Sequence, residues 1–135
     1  MTVVAYRVQD AEGIGPWRPG RSHLWIEAGA PADRWTETVM DICPVSVLMN
    51  LPPGKHYGSA CRSLDTLFQW FTPVERERLH RLGFHPVQLQ ADVVIAESPW
   101  QMLIGRVRPF AQGATRLRWE PRMRTPRRLE GQTSP

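Results

Sequence analysis

Cys61 is the residue that the sequence places best for nucleophilic chemistry. It lies just ahead of a helix start, beside Arg62, and both neighbours favour a thiolate. A small buried residue is the plainer reading of the same cysteine. No other Ser, Cys or Thr has a recognisable nucleophile elbow around it. The 4 histidines, His23, His56, His80 and His85, share no ligand spacing. His80 and His85 straddle Gly83 with no Cys or carboxylate partner in register, so no metal site is expected. The loop from Gly13 to Gly20 holds Trp17 and Arg18 among glycines and prolines. It has neither the GxGxxG spacing nor the following helix of a dinucleotide fingerprint, and the chain has no phosphate-binding GK[ST]. Two readings of the loop stand side by side: Trp17 tucked on the core, or Trp17 and Arg18 facing a ligand.

Two helices and a set of strands must position these residues. Ser63 is a good N-cap, and Leu64, Leu67, Phe68 and Phe71 follow at the spacing of one helical face. Thr72 caps a second helix, with Pro73 at its first position and Glu75 placed for a capping box. Leu79 and Leu82 give it an apolar stripe, and Gly83 supplies a left-handed stop. The period then changes to two. Val87, Leu89, Ala91, Val93 and Ile95 predict a strand over 86–96, with Pro86 favouring an edge. Residues 100–108 read as the next strand and 3–8 as the first, with a short one at 24–27. A short helix is expected over 32–40, with Trp35, Val39 and Met40 on one side. Residues 55–58 read as a lead into the first core helix.

The 135 residues suit one domain, placed at 1–112, followed by an Arg- and Pro-rich tail at 113–135 that is expected to be partly disordered. Thr115 to Trp119 offers an additional edge strand. The net charge is +4, and Lys55 is the only lysine. From Arg116 to Arg128 the arginines stand against a single acid, Glu120, and without this tail the body is close to neutral. The tail, with Arg116, Arg118 and Arg122, is the candidate for contact with nucleic acid or another anionic partner. No apolar run is long enough to span a bilayer, and the first residues lack a secretion signal, so cytoplasmic residence is expected. Two free thiols, Cys43 and Cys61, fit that compartment.

Tyr6-Arg7, the loop at 15–20, His56-Tyr57-Gly58, Trp70-Phe71 and Ala96-Glu97-Ser98 with Gln101 resemble a group of small phage and prophage proteins. The resemblance implies an accessory factor in the host cytoplasm, such as an inhibitor of host defence of the anti-CRISPR kind. Its partner would be a host protein or ribonucleoprotein complex. A second resemblance is to the layout of ADP-ribosyltransferase folds: a first strand with Tyr-Arg, a middle His-Tyr before a helix, and a late glutamate. That likeness implies an enzyme using NAD, with Arg7, Tyr57 and Glu97 as site residues and Gln101 as a substitute for the last. The chain departs from that pattern in lacking an STS-like strand start and a glutamate-x-glutamate pair.

The fold expected is α+β, a small, mostly antiparallel sheet with two helices packed on one face. Its core should hold Val4, Tyr6, Leu67, Phe68, Phe71, Leu79, Leu82, Val93, Ile95, Leu103 and Val107. The function expected first is binding of a macromolecule through Trp17, Arg18, His56, Arg116, Arg118 and Arg122, with no cofactor. The alternative is the NAD-dependent transferase.

Overall fold

The first strand, β1 (Val3–Gln9), is rich in β-branched residues and buries Ala5, Arg7, Val8 and Gln9. The computed structural model describes residues 2–17, 22–27 and 37–119. After β1, Asp10 accepts from the backbone N–H groups of Glu12 (2.9 Å) and Ile14 (3.0 Å) and fixes a tight turn. A single 3-10 turn (Ser22–Leu24) follows where a strand over 24–27 was expected. It drops the Trp25 ring into the core, with Nε1 donating to Pro16 O at 3.0 Å. Of the helix expected at 32–40, Trp35 lies outside the described residues. The described chain has two 4-residue helices, α1 (Val39–Ile42) and α2 (Val45–Leu48).

The stretch that reads as a lead into the core helix is a strand, β2 (His56–Ala60). Gly58 and Ser59 hide it from a propensity argument, but backbone pairing with a neighbour decides. Helix α3 (Leu64–Phe68) starts on Ser63, whose side chain accepts from Thr66 N, and buries Leu67 and Phe68. Helix α4 (Pro73–Arg81) has the expected capping box between Thr72 and Glu75 and the expected proline at its start. Glu75 also reaches outward: its Oε2 accepts from the backbone N–H of Glu27 at 2.8 Å. Gly83, at φ 91°, ends the helix in the left-handed region.

The α+β class holds, with two three-stranded antiparallel sheets in place of one. The alternating run after Gly83 is divided at Asp92 into β3 (His85–Ala91) and β4 (Val93–Glu97), which belong to different sheets. Asp92 makes the break, because its N–H goes to Gly105 O and its carboxylate accepts from Val107 N at 2.7 Å. One sheet has the order β1-β3-β6, where β6 is Thr115–Arg116; the other is β2-β5-β4, where β5 is Met102–Arg106. Pro86 therefore sits in a central strand rather than an edge. Tyr6 and Cys61 exchange backbone hydrogen bonds of 2.9 and 2.7 Å and couple the sheets.

Leu67, Phe68, Phe71, Leu79 and Leu103 are buried as expected. Val4, Leu82 and Val107 are not: they are exposed, while Tyr6, Val93 and Ile95 are partly buried. In β1 the inward set is one residue out of phase with the expected one, so Ala5 faces in where Val4 was placed. Leu82 is the C-cap of α4, beyond the packed stripe. Val107 follows the end of β5. The body also extends past residue 112. Trp119 is buried against Phe68 and Phe71, at ring distances of 5.5 and 6.0 Å, and its Nε1 donates to Phe84 O. Among the described residues no helix is long and apolar enough to cross a membrane.

Trp119→Ala is expected to cost about 3–5 kcal/mol in urea unfolding, as emptying an aromatic core site does. A loss below about 1 kcal/mol would return Trp119 to the tail.

Candidate functional site

Between the end of β1, β2 and the α3 region lies a cavity of about 740 Å³. This is ample for a small ligand. Its walls are mainly apolar: Val8, Ile14, Leu67, Trp70 and Phe71, with Trp17 at the exposed side. Trp17 is 47% exposed and yet packed. Its ring meets Trp25 edge-on at 4.7 Å, stacks over Phe71 at 6.1 Å and lies edge-on to Trp70 at 6.4 Å. The ring rests on the core, as the first reading of the loop has it, and also lines the cavity.

The polar wall begins at Arg7. Its Nε donates to Gln9 Oε1 (2.9 Å), its Nη1 to Ser59 O (3.1 Å) and its Nη2 to Gly13 O (3.2 Å). The guanidinium lies over the Phe110 ring, 4.2 Å from its centre. A Cβ on Gly58 would collide with Nη1, so only glycine leaves room for this side chain. Burial, helped by the nearby positive charge of Arg106 and opposed by Asp10, pulls the Arg7 pKa down to about 10, so it is still a cation at neutral pH. Beyond Ser59 the polar chain continues. Ser59 Oγ donates to Gln101 Oε1 (2.9 Å), and Gln101 Nε2 donates to Glu37 O (3.1 Å) and Glu37 Oε1 (3.0 Å). Ser98 Oγ donates to the same Glu37 oxygen.

The structure brings Arg7, Gln101 and Trp17 to this cavity and leaves Tyr57 and Glu97 off its lining. The Tyr57 hydroxyl donates to Pro52 O at 2.6 Å, and its ring lies along Gly105. Glu97 forms a surface ion pair with Arg62, whose hydrogen bonds hold its carboxyl below the usual range. Arg7, Tyr57 and Glu97 therefore do not converge. His56 is exposed, edge-on to Phe110 at 6.3 Å, and does not line the cavity. Arg116 and Arg118 are exposed, and Arg116 Nη2 approaches His85 Nε2 at 2.5 Å. Arg18 and Arg122 lie outside the described residues. Sequence reasoning missed Ser59, Glu37 and the space-making Gly58. Only the glycine carried a signal, as a break in an otherwise extended run.

A second surface adjoins the cavity, whose lining includes Thr38 and Val39. Helices α1 and α2 bury no residue, and Met40, Val45, Val47 and Met49 are exposed, Met49 to 80%. Both cysteines are free and buried. Among the described residues no cluster of three or more His, Cys, Asp or Glu could hold a metal. No family model, no curated protein and no solved structure matches this sequence.

Cys61 is not activated by its neighbour. Arg62 points outward to Glu97, and burial raises the thiol from 9.0 to about 12, against a smaller opposing effect of Trp70. A raised thiol pKa adds stability that is fully present below 9.0 and is lost as pH climbs through about 12. In a Cys43→Ser background, thiol labelling at pH 8 should run at least about a hundredfold slower than in unfolded protein. Labelling at the unfolded rate would show an accessible thiolate.

Proposed function

We propose that this chain acts by binding a macromolecular partner, a host protein or ribonucleoprotein complex, in the manner of a small phage-type inhibitor of host defence. The observation that carries this reading is the exposed apolar set Met40, Val45, Val47 and Met49, together with the half-exposed Trp17. Exposed apolar side chains on short helices with no fully buried residue are surface suited to a partner. Methionine suits such a surface because its unbranched thioether adapts to the shape it meets. Arg116 and Arg118 add exposed positive charge at and just beyond β6, suited to an anionic partner. Among the described residues the cavity's serine hydroxyl and its thiol are engaged in structural hydrogen bonds, Ser59 Oγ to Gln101 and Cys61 Sγ to Trp100 O, rather than to a base.

A second reading, the NAD-using transferase, is favoured by one observation: Arg7 and Gln101 line the same cavity. Against it stand Tyr57 and Glu97, which the fold directs to Pro52 and Arg62.

Two experiments separate the readings. A photocrosslinker at Val47 in the host cytoplasm identifies the partner, and the complex is then rebuilt from purified components. The double variant Met40→Glu, Met49→Glu should weaken binding by about a hundredfold, because two charges would be buried at an apolar contact. An unchanged Kd would remove this face from the interface. Calorimetric titration with NAD is expected to show no heat of binding. Micromolar binding accompanied by transfer of labelled ADP-ribose from NAD to a host protein would install the transferase reading instead.

A further inference from the structure

The cavity has a chemistry of its own, separate from the apolar face of α1 and α2. One wall is a buried cation without a counter-ion. Arg7 is hydrogen-bonded only to neutral acceptors, Gln9, Ser59 O and Gly13 O, and among the described residues it has no ion-pair partner. A guanidinium carries five N–H groups, and these three bonds leave two of them uncommitted. The nearest charge effects on it are a repulsion from Arg106 and a weaker attraction to Asp10.

Three other polar side chains of the cavity, Ser59, Gln101 and Glu37, are bonded to one another. Ser59 Oγ is given to Gln101, and both Gln101 Nε2 contacts go to Glu37. The Glu37 oxygen that faces Gln101 also accepts from Ser98. Glu37 is the acid on this lining, and its position at the far end of that chain discourages an anion there. The remaining surface is apolar and aromatic, Trp17, Trp70 and Phe71 above all. A flat apolar body would cover these rings, while an anionic head at Arg7 would supply the missing counter-charge and accept the two free N–H groups.

We infer that the cavity binds a small amphipathic anion: one carboxylate, sulfonate or phosphate at Arg7, on an aromatic or branched apolar body lying against Trp17, Trp70 and Phe71. The built nature of the site supports this. Gly58 leaves space for the guanidinium that a Cβ would remove, and the Phe110 ring supports it from one face. The arrangement fixes the charge in place before a ligand arrives, so little ordering is lost on binding. This site goes beyond the partner-binding face and does not depend on it.

The test uses the full-length protein and two probes that share an aromatic body. Anilinonaphthalene sulfonate carries the anion; N-phenylnaphthylamine does not. The sulfonate is expected to saturate at one site per chain, with a Kd about tenfold or more below that of the neutral probe. Trp17→Ala should weaken both probes, and Arg7→Met should abolish the preference between them. Near-UV circular dichroism reports whether Arg7→Met still folds; if it does not, wild type and Trp17→Ala decide. Equal affinity of the two probes for wild type would overturn the inference, as would failure of both to bind. Sulfonate binding that Trp17→Ala does not weaken would place the anion elsewhere and overturn it too. None of these outcomes bears on Met40 and Met49, so a failure here is distinct from a failure of the partner-binding face.

Discussion

The Arg7 guanidinium is the interaction on which the rest of the structure depends. It is a charged group inside the protein, and desolvating it costs several kcal/mol before any bond is made. Carbonyl oxygens of two separate segments offset that cost, Gly13 in the turn after β1 and Ser59 in β2. Gln9 and the Phe110 ring hold it from its own strand and from the loop after β5. A planar fork with donors on three nitrogens can do this; a lysine ammonium could not reach all of these partners at once. Gln9 Nε2 extends the same cluster by donating to Phe110 O at 2.9 Å. One side chain thus ties a turn, two sheets and a loop together.

The cavity follows from this brace. The Tyr6–Cys61 pairing joins the sheets near one end of β2, and Arg7 bridges to Ser59 nearby. The apolar layer of Leu67, Trp70 and Phe71 then forms the opposite wall. Trp70 is fixed by its own bond to Trp100 O at 2.9 Å, and Glu75 fastens the 3-10 segment to α4 through Glu27. The walls are therefore held by directional bonds as well as by packing.

Much of this was legible in the sequence, where local rules suffice. Ser63, Thr72, Pro73, Glu75 and Gly83 mark α3 and α4 because capping is decided within one turn of chain. The α+β class followed from the change of period after Gly83. What the sequence concealed was decided at long range. The phase of β1 turned on whether Arg7 and Gln9 could be buried, which needed partners 50 and more residues away. Strand β2 exists through pairing with β5, against the leanings of His56, Gly58 and Ser59. Asp92 looks like one polar position in an alternating run, and only its bond to Val107 N reveals a change of sheet. Arg7, Gln101 and Trp17 could be singled out one at a time, but their meeting with Ser59 and Glu37 could not.

The fold described depends on Arg7 being locked inside it. Amide-type proton exchange at its Nε–H, followed by NMR beside that of the exposed Arg118, tests this directly. A guanidinium bonded to Gln9 and shielded by Phe110 should exchange at least about a hundredfold more slowly than Arg118, because it must open before water reaches it. Exchange of Arg7 at the rate of Arg118 would mean that the brace is not formed, and that neither the cavity nor its anion site is built as described.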